Sequence, residues 1–510
     1  MKESYAVFTF LKSKAIAGLS FALAGLLLPA MAFASAHAGA PHLDGASLSA
    51  LWVVPFACML LSIAVGPIAA PHFWHNNFGK ISVFWALCFL VPFTMAYGFS
   101  LALYEALHAL LLEYFPFIIL LLALFTVAGG VRLKGNLVGT PIVNTVILLI
   151  GTALASWMGT TGAAMLLIRP LLRANAHRKY KVHSVVFFIF LVANIGGSLT
   201  PLGDPPLFLG FLKGVSFFWT TTHMLPLMLF AAAVLLTVYF CLDTVLFAKE
   251  GKPVPPTDCC DEEEPATPGR CRFENGRQIY DCGPGPKLAL DGKVNLLLLL
   301  GVIAAVLMSG MWNPHVSFNI YHVHVELQNV VRDVILLIIT GLSLKLTDDE
   351  CRRLNDFNWF PILEVGKLFI GIFLSMIPAI AILKAGENGA LASVINMVTS
   401  NGEPVNTMYF WLTGLLSSFL DNAPTYLVFF NTAGGDAVHL MGDMASTLLA
   451  ISAGAVFMGA NTYIGNAPNF MVRSIAEDQG VKMPSFFGYM AWSFGILIPT
   501  FVLITFIFIA

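Results

Sequence analysis

Ser417-Ser418-Phe419-Leu420-Asp421-Asn422-Ala423-Pro424-Thr425 stands inside an apolar run, Gly414–Phe430, in which Asp421 is the one charged residue. An ionised carboxylate at membrane depth costs at least about 2–3 kcal/mol on insertion scales, so such a group must be paired, protonated or metal-bound. Pro424 breaks the helix that the run would otherwise form. A carboxylate that alternates between a proton and a hard cation suits exchange. Asn422 and Thr425 would add the oxygen ligands that hard cations prefer. The other reading makes Asp421 a helix cap at a hairpin tip. The two roles can coexist.

The composition says that this run lies in a membrane. Of 510 residues, 27 are Lys or Arg and 29 are Asp or Glu, so 11% are charged. A soluble domain carries about 25%. With 57% hydrophobic residues and 43 glycines besides, the chain has too few charges to cover soluble domains. A soluble globular protein and a disordered chain are both excluded. The fold class is an all-α polytopic membrane protein, with the lipid bilayer as its surroundings. The net charge of −2 suggests no nucleic-acid partner.

Residues 1–38 read as a secretory signal. Lys2, Lys12 and Lys14 precede the apolar run Ala15–Pro29, and Ala32-Phe33-Ala34 and Ala34-Ser35-Ala36 follow as cleavage-type triplets. An uncleaved first helix is the alternative, and both leave residue 40 outside. Whole spans of about 20 apolar residues fall near 49–71, 79–100, 115–131, 225–248, 293–312, 328–346, 365–384 and 486–509. Two regions, 139–213 and 407–475, are apolar but interrupted by Gly, Pro, Asn, Ser and Thr. Irregular backbone is tolerated at membrane depth only where it is buried in protein or lines a cavity. The basic stretches Arg132–Lys134 and Arg173–Lys181 are expected on the cytoplasmic side. Residues 139–172 then enter and leave from the cytoplasm as one re-entrant hairpin, and 407–433 do so from outside. The polar loop 249–292 is placed inside, and His315, His322 and His324 outside.

The two interrupted regions match at a constant shift of 262 residues. Ser156-Trp157-Met158-Gly159-Thr160 falls on Ser418-Phe419-Leu420-Asp421-Asn422. Thr200 falls on Thr462, and Gly203-Asp204-Pro205-Pro206 on Gly465-Asn466-Ala467-Pro468. The order in both is a hairpin followed by a broken helix, at 184–213 and 445–475. An odd number of crossings per half, 49–248 and 293–509, implies inverted repeats, the signature of secondary transporters. Breaking a helix frees oriented carbonyls and N–H groups that bind ions. The candidate ion or substrate residues are Asp204, Thr200 and Ser198 in the first break and Asn461, Thr462 and Asn466 in the second. Thr160 and Thr161 tip the first hairpin, with Gly159 where the second has Asp421. For Asp204 the alternative is a structural turn capping the second half-helix.

At these residues the chain resembles NhaD-type sodium/proton antiporters. The hairpin motif Ser417–Thr425 and the broken-helix motif Asn194-Ile195-Gly196-Gly197-Ser198-Leu199-Thr200-Pro201-Leu202-Gly203-Asp204 carry the likeness over residues 50–510, apart from 249–292. These antiporters belong to the ion transporter superfamily, which also holds citrate and dicarboxylate carriers and arsenite permeases. The resemblance implies an elevator carrier in the inner (plasma) membrane, often dimeric. It implies Asp421, Asn422, Asp204 and Thr200 at the ion site, with Na⁺ or H⁺ as transported or coupling ion and no resident cofactor. The first tip departs from the family's acidic one, reading Gly159-Thr160-Thr161-Gly162. A site with one acid fewer would suit a carboxylate substrate, so a Na⁺- or H⁺-coupled citrate or dicarboxylate carrier stays open.

Other residues carry less. Arg169 snorkels to the interface or serves as a counter-ion to Asp204. Cys259, Cys260, Cys271 and Cys282 share a polar loop without the paired spacing of a zinc site. The spans hold no His-Glu-x-x-His and no Gly-x-Ser-x-Gly, which argues against an enzyme.

Overall fold

The computed structural model describes residues 43–251 and 288–510 apart from 136 and 401, residue 41, and the backbone of 271–274 and 277–280. The expected signal at 1–38 and the side chains of Cys259, Cys260, Cys271 and Cys282 lie outside the described residues. Among the described residues, ten helices are long and apolar enough to cross a membrane, and every sheet is an isolated pair of short strands. The chain is an all-α polytopic membrane protein.

Helices α1 (Val54–Ala69), α2 (Pro71–Tyr97) and α3 (Phe99–Ala109) are joined by the single residues Ala70 and Gly98. A π-helical turn, Leu110–Tyr114, carries α3 without a break into α4 (Phe115–Ala128). The span expected at 115–131 therefore begins at Phe99 and ends at Ala128. The stretch before residue 115 contains Glu105, His108 and Glu113 but is otherwise rich in strong helix formers. Pro116 cannot donate a backbone hydrogen bond, and the widened turn lies just before it.

Helix α5 (Pro141–Met158) turns at Gly159 into α6 (Thr160–Ala174), and the two pack as a hairpin. Its open end is closed by Gly139 N–H donating to the Ala174 carbonyl at 2.8 Å. Next comes α7 (Val182–Leu191), an irregular segment through Thr200, α8 (Pro205–Leu212) and the long α9 (Trp219–Lys249). Strand Arg132–Lys134 pairs with Ala289–Asp291. Then follow α10 (Val294–Met311), the β-hairpin 317–326, α11 (Leu327–Leu346), α12 (Asp349–Leu354), α13 (Phe360–Lys384) and α14 (Ala392–Val398). The second hairpin is α15 (Asn406–Phe419) and α16 (Asn422–Thr432). Short α17 (Ala437–Met441), α18 (Ala445–Met458), α19 (Ala467–Asp478) and α20 (Phe486–Ile504) end the chain.

Two groups of helices result. α2 packs on α13, α10 on α11, and α11 on α4. The hairpins and broken segments pack among themselves: α15 on α18, α16 on α8, α19 on α6, and α9 along the break before α8. α7 is enclosed on all sides, which is why Val185 to Ala193 are all fully buried and why the segment lacks a polar face. At the junction of the first group, buried side chains satisfy the free carbonyls at the end of α4. Arg352 Nη1 donates to Thr126 O at 2.9 Å, Asn295 to Gly130 O at 2.9 Å, and Asn355 to Val131 O at 2.6 Å.

Candidate functional site

The two breaks share a set of hydrogen bonds at the 262-residue shift. Thr200 Oγ1 donates to Ser156 O, and Thr462 Oγ1 to Ser418 O. Ser156 Oγ donates to Gly196 O at 2.5 Å, and Ser418 Oγ to Met458 O at 3.1 Å. The same threonine oxygens accept from the backbone N–H groups of Leu202 and Ile464, each at 3.2 Å. Each threonine therefore pins its break to the hairpin beside it. Gly203 and Gly465 are required by close approach: a Cβ would lie 2.1 Å from Gly197 O in one and 2.5 Å from Gly459 O in the other.

Four helices start at the place where these parts meet. Their N-caps are Gly159 for α6, Asp204 for α8, Asp421 for α16 and Asn466 for α19. Each N-terminus points the positive end of its helix dipole at this place, although Pro205 and Pro206 leave the first turn of α8 without N–H donors there. Asp204 lies at the centre, 1% exposed. Its Oδ1 accepts from Asn466 Nδ2 at 3.0 Å and from Thr160 Oγ1 at 3.2 Å. Its Oδ2 accepts from Asn422 Nδ2 at 2.6 Å. The carboxylate is thus held by one group from each hairpin and one from the other break. Asparagine and threonine donors match an ionised acceptor.

Asp421 is placed differently. Its Oδ1 accepts from Ala423 N–H at 3.0 Å, so it caps α16. No other hydrogen bond or ion pair to this carboxylate occurs among the described residues, and it lines a cavity of about 890 Å³. The capping role is real, and it leaves an oxygen for other use.

The remaining sequence-derived residues divide. Thr160, Asn422 and Asn466 join Asp204 directly. Thr200 and Thr462 are structural pins. Thr425 Oγ1 donates to its own helix at Asp421 O, 2.9 Å away, so it is not turned to the site as expected. Asn461 Nδ2 donates to Ser418 Oγ at 2.9 Å, and its Oδ1 has no partner. Ser198 Oγ and Asn422 Oδ1 are likewise buried without a partner. Thr161 lines the cavity. Arg169 pairs with Asp356, at 3.2 Å, and not with Asp204.

Sequence reasoning placed Asn194 and Asn469 in the two broken-helix motifs but missed that they connect the breaks. Asn194 Nδ2 donates to Asn469 Oδ1 at 2.7 Å, and Asn469 Nδ2 donates to the carbonyls of Gly459 and Thr462 at 2.8 and 2.9 Å. Both are amides in apolar surroundings, the same signal that singled out Asp421. It also missed Asp356, Glu364 and Asp478, which line the cavity from separate segments. Glu364 accepts from Trp74.

Among known proteins, residues 45–509 match the model of a family described as "Putative citrate transport". An uncharacterized transporter of Mycobacterium tuberculosis is 24% identical over 353 residues, 68% of this chain and 72% of its own length. One of Mycobacterium bovis matches to the same extent. A 46 kDa membrane protein of Mycobacterium leprae is 23% identical over 352 residues, with the same coverage.

Proposed function

The chain belongs to the family described as "Putative citrate transport", and on that footing we propose that it is a secondary carrier exchanging Na⁺ for H⁺ at Asp421. The observation that carries this reading is the charge of the cavity. Asp204, Asp356, Glu364, Asp421 and Asp478 line it, against the single guanidinium of Arg169, which is itself engaged by Asp356. A cleft lined by one sign of charge concentrates ions of the other sign and repels its own. A citrate trianion would enter against that field, and a sodium ion with it.

The two aspartates have separate roles in this account. Asp204, whose two oxygens accept from three donors, holds the two hairpins and the second break together. Asp421 keeps an oxygen toward the cavity and carries the proton or the cation in turn. Asp421 caps α16, so the positive end of that helix dipole lies beside its carboxylate. Swapping one proton for one sodium ion at Asp421 then leaves the site's charge unchanged. The partnerless oxygens of Asn422, Asn461 and Ser198 are hard donors suited to sodium. The hairpins and breaks would move together against the helices of 50–128 and 294–384, in the plasma membrane, as inverted halves of an elevator.

A second reading, coupled uptake of a citrate-like carboxylate, is favoured by the four converging N-termini, which attract anions. Two assays on proteoliposomes separate the two readings. Under cation exchange, an imposed Na⁺ gradient drives a change of internal pH and labelled citrate does not accumulate. Citrate accumulation driven by Na⁺ or H⁺, without Na⁺-driven proton movement in its absence, would replace the first reading by the second.

A further inference from the structure

Gly459 O and Thr462 O are backbone carbonyls of the second break, and a carbonyl can only accept. The end of the Asn469 side chain that lies 2.8 and 2.9 Å from them is therefore its amide nitrogen, with both hydrogens engaged. The Asn469 oxygen is left to accept, and it does so from Asn194 Nδ2 at 2.7 Å. Asn194 Nδ2 gives its second hydrogen to Ile189 O at 2.8 Å. The Asn194 oxygen accepts in turn from Asn466 Nδ2 at 3.2 Å. Three buried amides thus form one directed chain across the two breaks, and backbone carbonyls set its direction.

The chain ends on Asn466. Its Nδ2 faces Asn194 Oδ1, Ala193 O at 3.2 Å and Asp204 Oδ1. Its Oδ1 makes no capping bond at the start of α19 and no other hydrogen bond among the described residues. This oxygen is the free end of a side chain that lines the cavity. An amide held in this direction offers a cation an oxygen, the atom that hard cations prefer. Turned over, it would offer N–H groups to an anion and set its own oxygen against three acceptors.

We propose that Asn194 and Asn469 are positioning residues for sodium: they hold the Asn466 amide with its nitrogen on Asp204 and its oxygen toward the cavity as a ligand. The inference rests on the cation-exchange reading. In sodium binding Asn469 acts through Asn194, and Asn194 through Asn466, so the two effects belong to one line. Side chains that orient a metal ligand contribute about ten-fold or more to affinity.

The test titrates Na⁺-driven proton movement in proteoliposomes. Asn194→Leu and Asn469→Leu keep the branching of the side chain and remove its hydrogen bonds. Each should raise the Na⁺ half-saturation about ten-fold, with the maximal rate within about two-fold of the intact protein. The double variant should match the single ones, because losses along one line do not add, whereas two independent packing defects would multiply to about a hundred-fold. Asn194→Ser and Asn469→Ser leave room for water beside the freed carbonyls, and they replace any leucine variant that fails to fold, with the same pattern expected. Unchanged half-saturation in the single variants, or effects that multiply in the double one, overturns the assignment and leaves the exchange reading standing. An intact protein in which Na⁺ moves no protons overturns both.

Discussion

Asp204 and Asn466, 262 residues apart and at equivalent places in the two broken segments, hydrogen-bond directly to each other at 3.0 Å. Equivalent residues of two halves touch only where a two-fold axis relating the halves would pass. There the chain has placed an acceptor on one side and a donor on the other. Thr160 and Asn422, equivalent by the same shift, both donate to the same carboxylate.

This pairing predicts the outcome of a charge swap. Asn466→Asp sets two carboxylates at hydrogen-bond distance in a buried place and should lower the melting temperature in detergent by a loss of about 3 kcal/mol. The double variant Asp204→Asn with Asn466→Asp restores one donor and one acceptor across the axis. It should recover most of that loss, as read by thermal scanning with size-exclusion detection. A double variant no more stable than the single one would contradict the pairing.

The unequal hairpin tips have a backbone cause. Gly159 has φ +80°, where Asp421 at the equivalent position has φ −60°. A side chain at residue 159 is strained by about 1–3 kcal/mol. Gly159→Ala and Gly159→Asp should therefore lose stability by similar amounts. Equal losses assign the effect to conformation, and a loss confined to the aspartate would assign it to charge.

Arg352 stabilises the end of α4. Besides Thr126 O, its Nη2 donates to Ser343 O at 3.0 Å and to Ser343 Oγ at 2.8 Å. Burial pushes this guanidinium down, to about 10, and it stays charged at neutral pH. Arg352→Ala leaves buried carbonyls without donors and should cost about 3 kcal/mol. Thermal scanning should register this with the Na⁺ half-saturation of the surviving folded fraction unchanged. Arg352→Lys should recover only part of the stability, since one ammonium cannot span both Thr126 and Ser343 as the fork does.

The sequence was informative where physics makes a residue conspicuous. Asp421 and Asp204 stand out because a charge in an apolar run is costly. Asn466 and Thr160 stand out through the repeated spacing. The breaks at Gly203 and Gly465 were legible because glycine and proline mark irregular backbone. Residues 99–114 were not, since Glu105, His108 and Glu113 interrupt the apolar run within a continuous helix, and Glu113 is buried there. The acidic lining was illegible for a related reason. Asp356, Glu364 and Asp478 come from separate segments, and only packing brings them round one cavity. Nor could sequence tell that Asp204 is saturated by hydrogen bonds while Asp421 is not, because that difference lies in donors 44 to 262 residues away.

Whether Asp421 carries the exchanged ion can be read in everted vesicles from cells lacking their own antiporters. A respiration-built proton gradient is followed with a pH-sensitive dye, and Na⁺ is added. Na⁺ should collapse the gradient with the intact protein and fail to do so with Asp421→Asn expressed at the same level in folded form. Undiminished collapse by Asp421→Asn would contradict it.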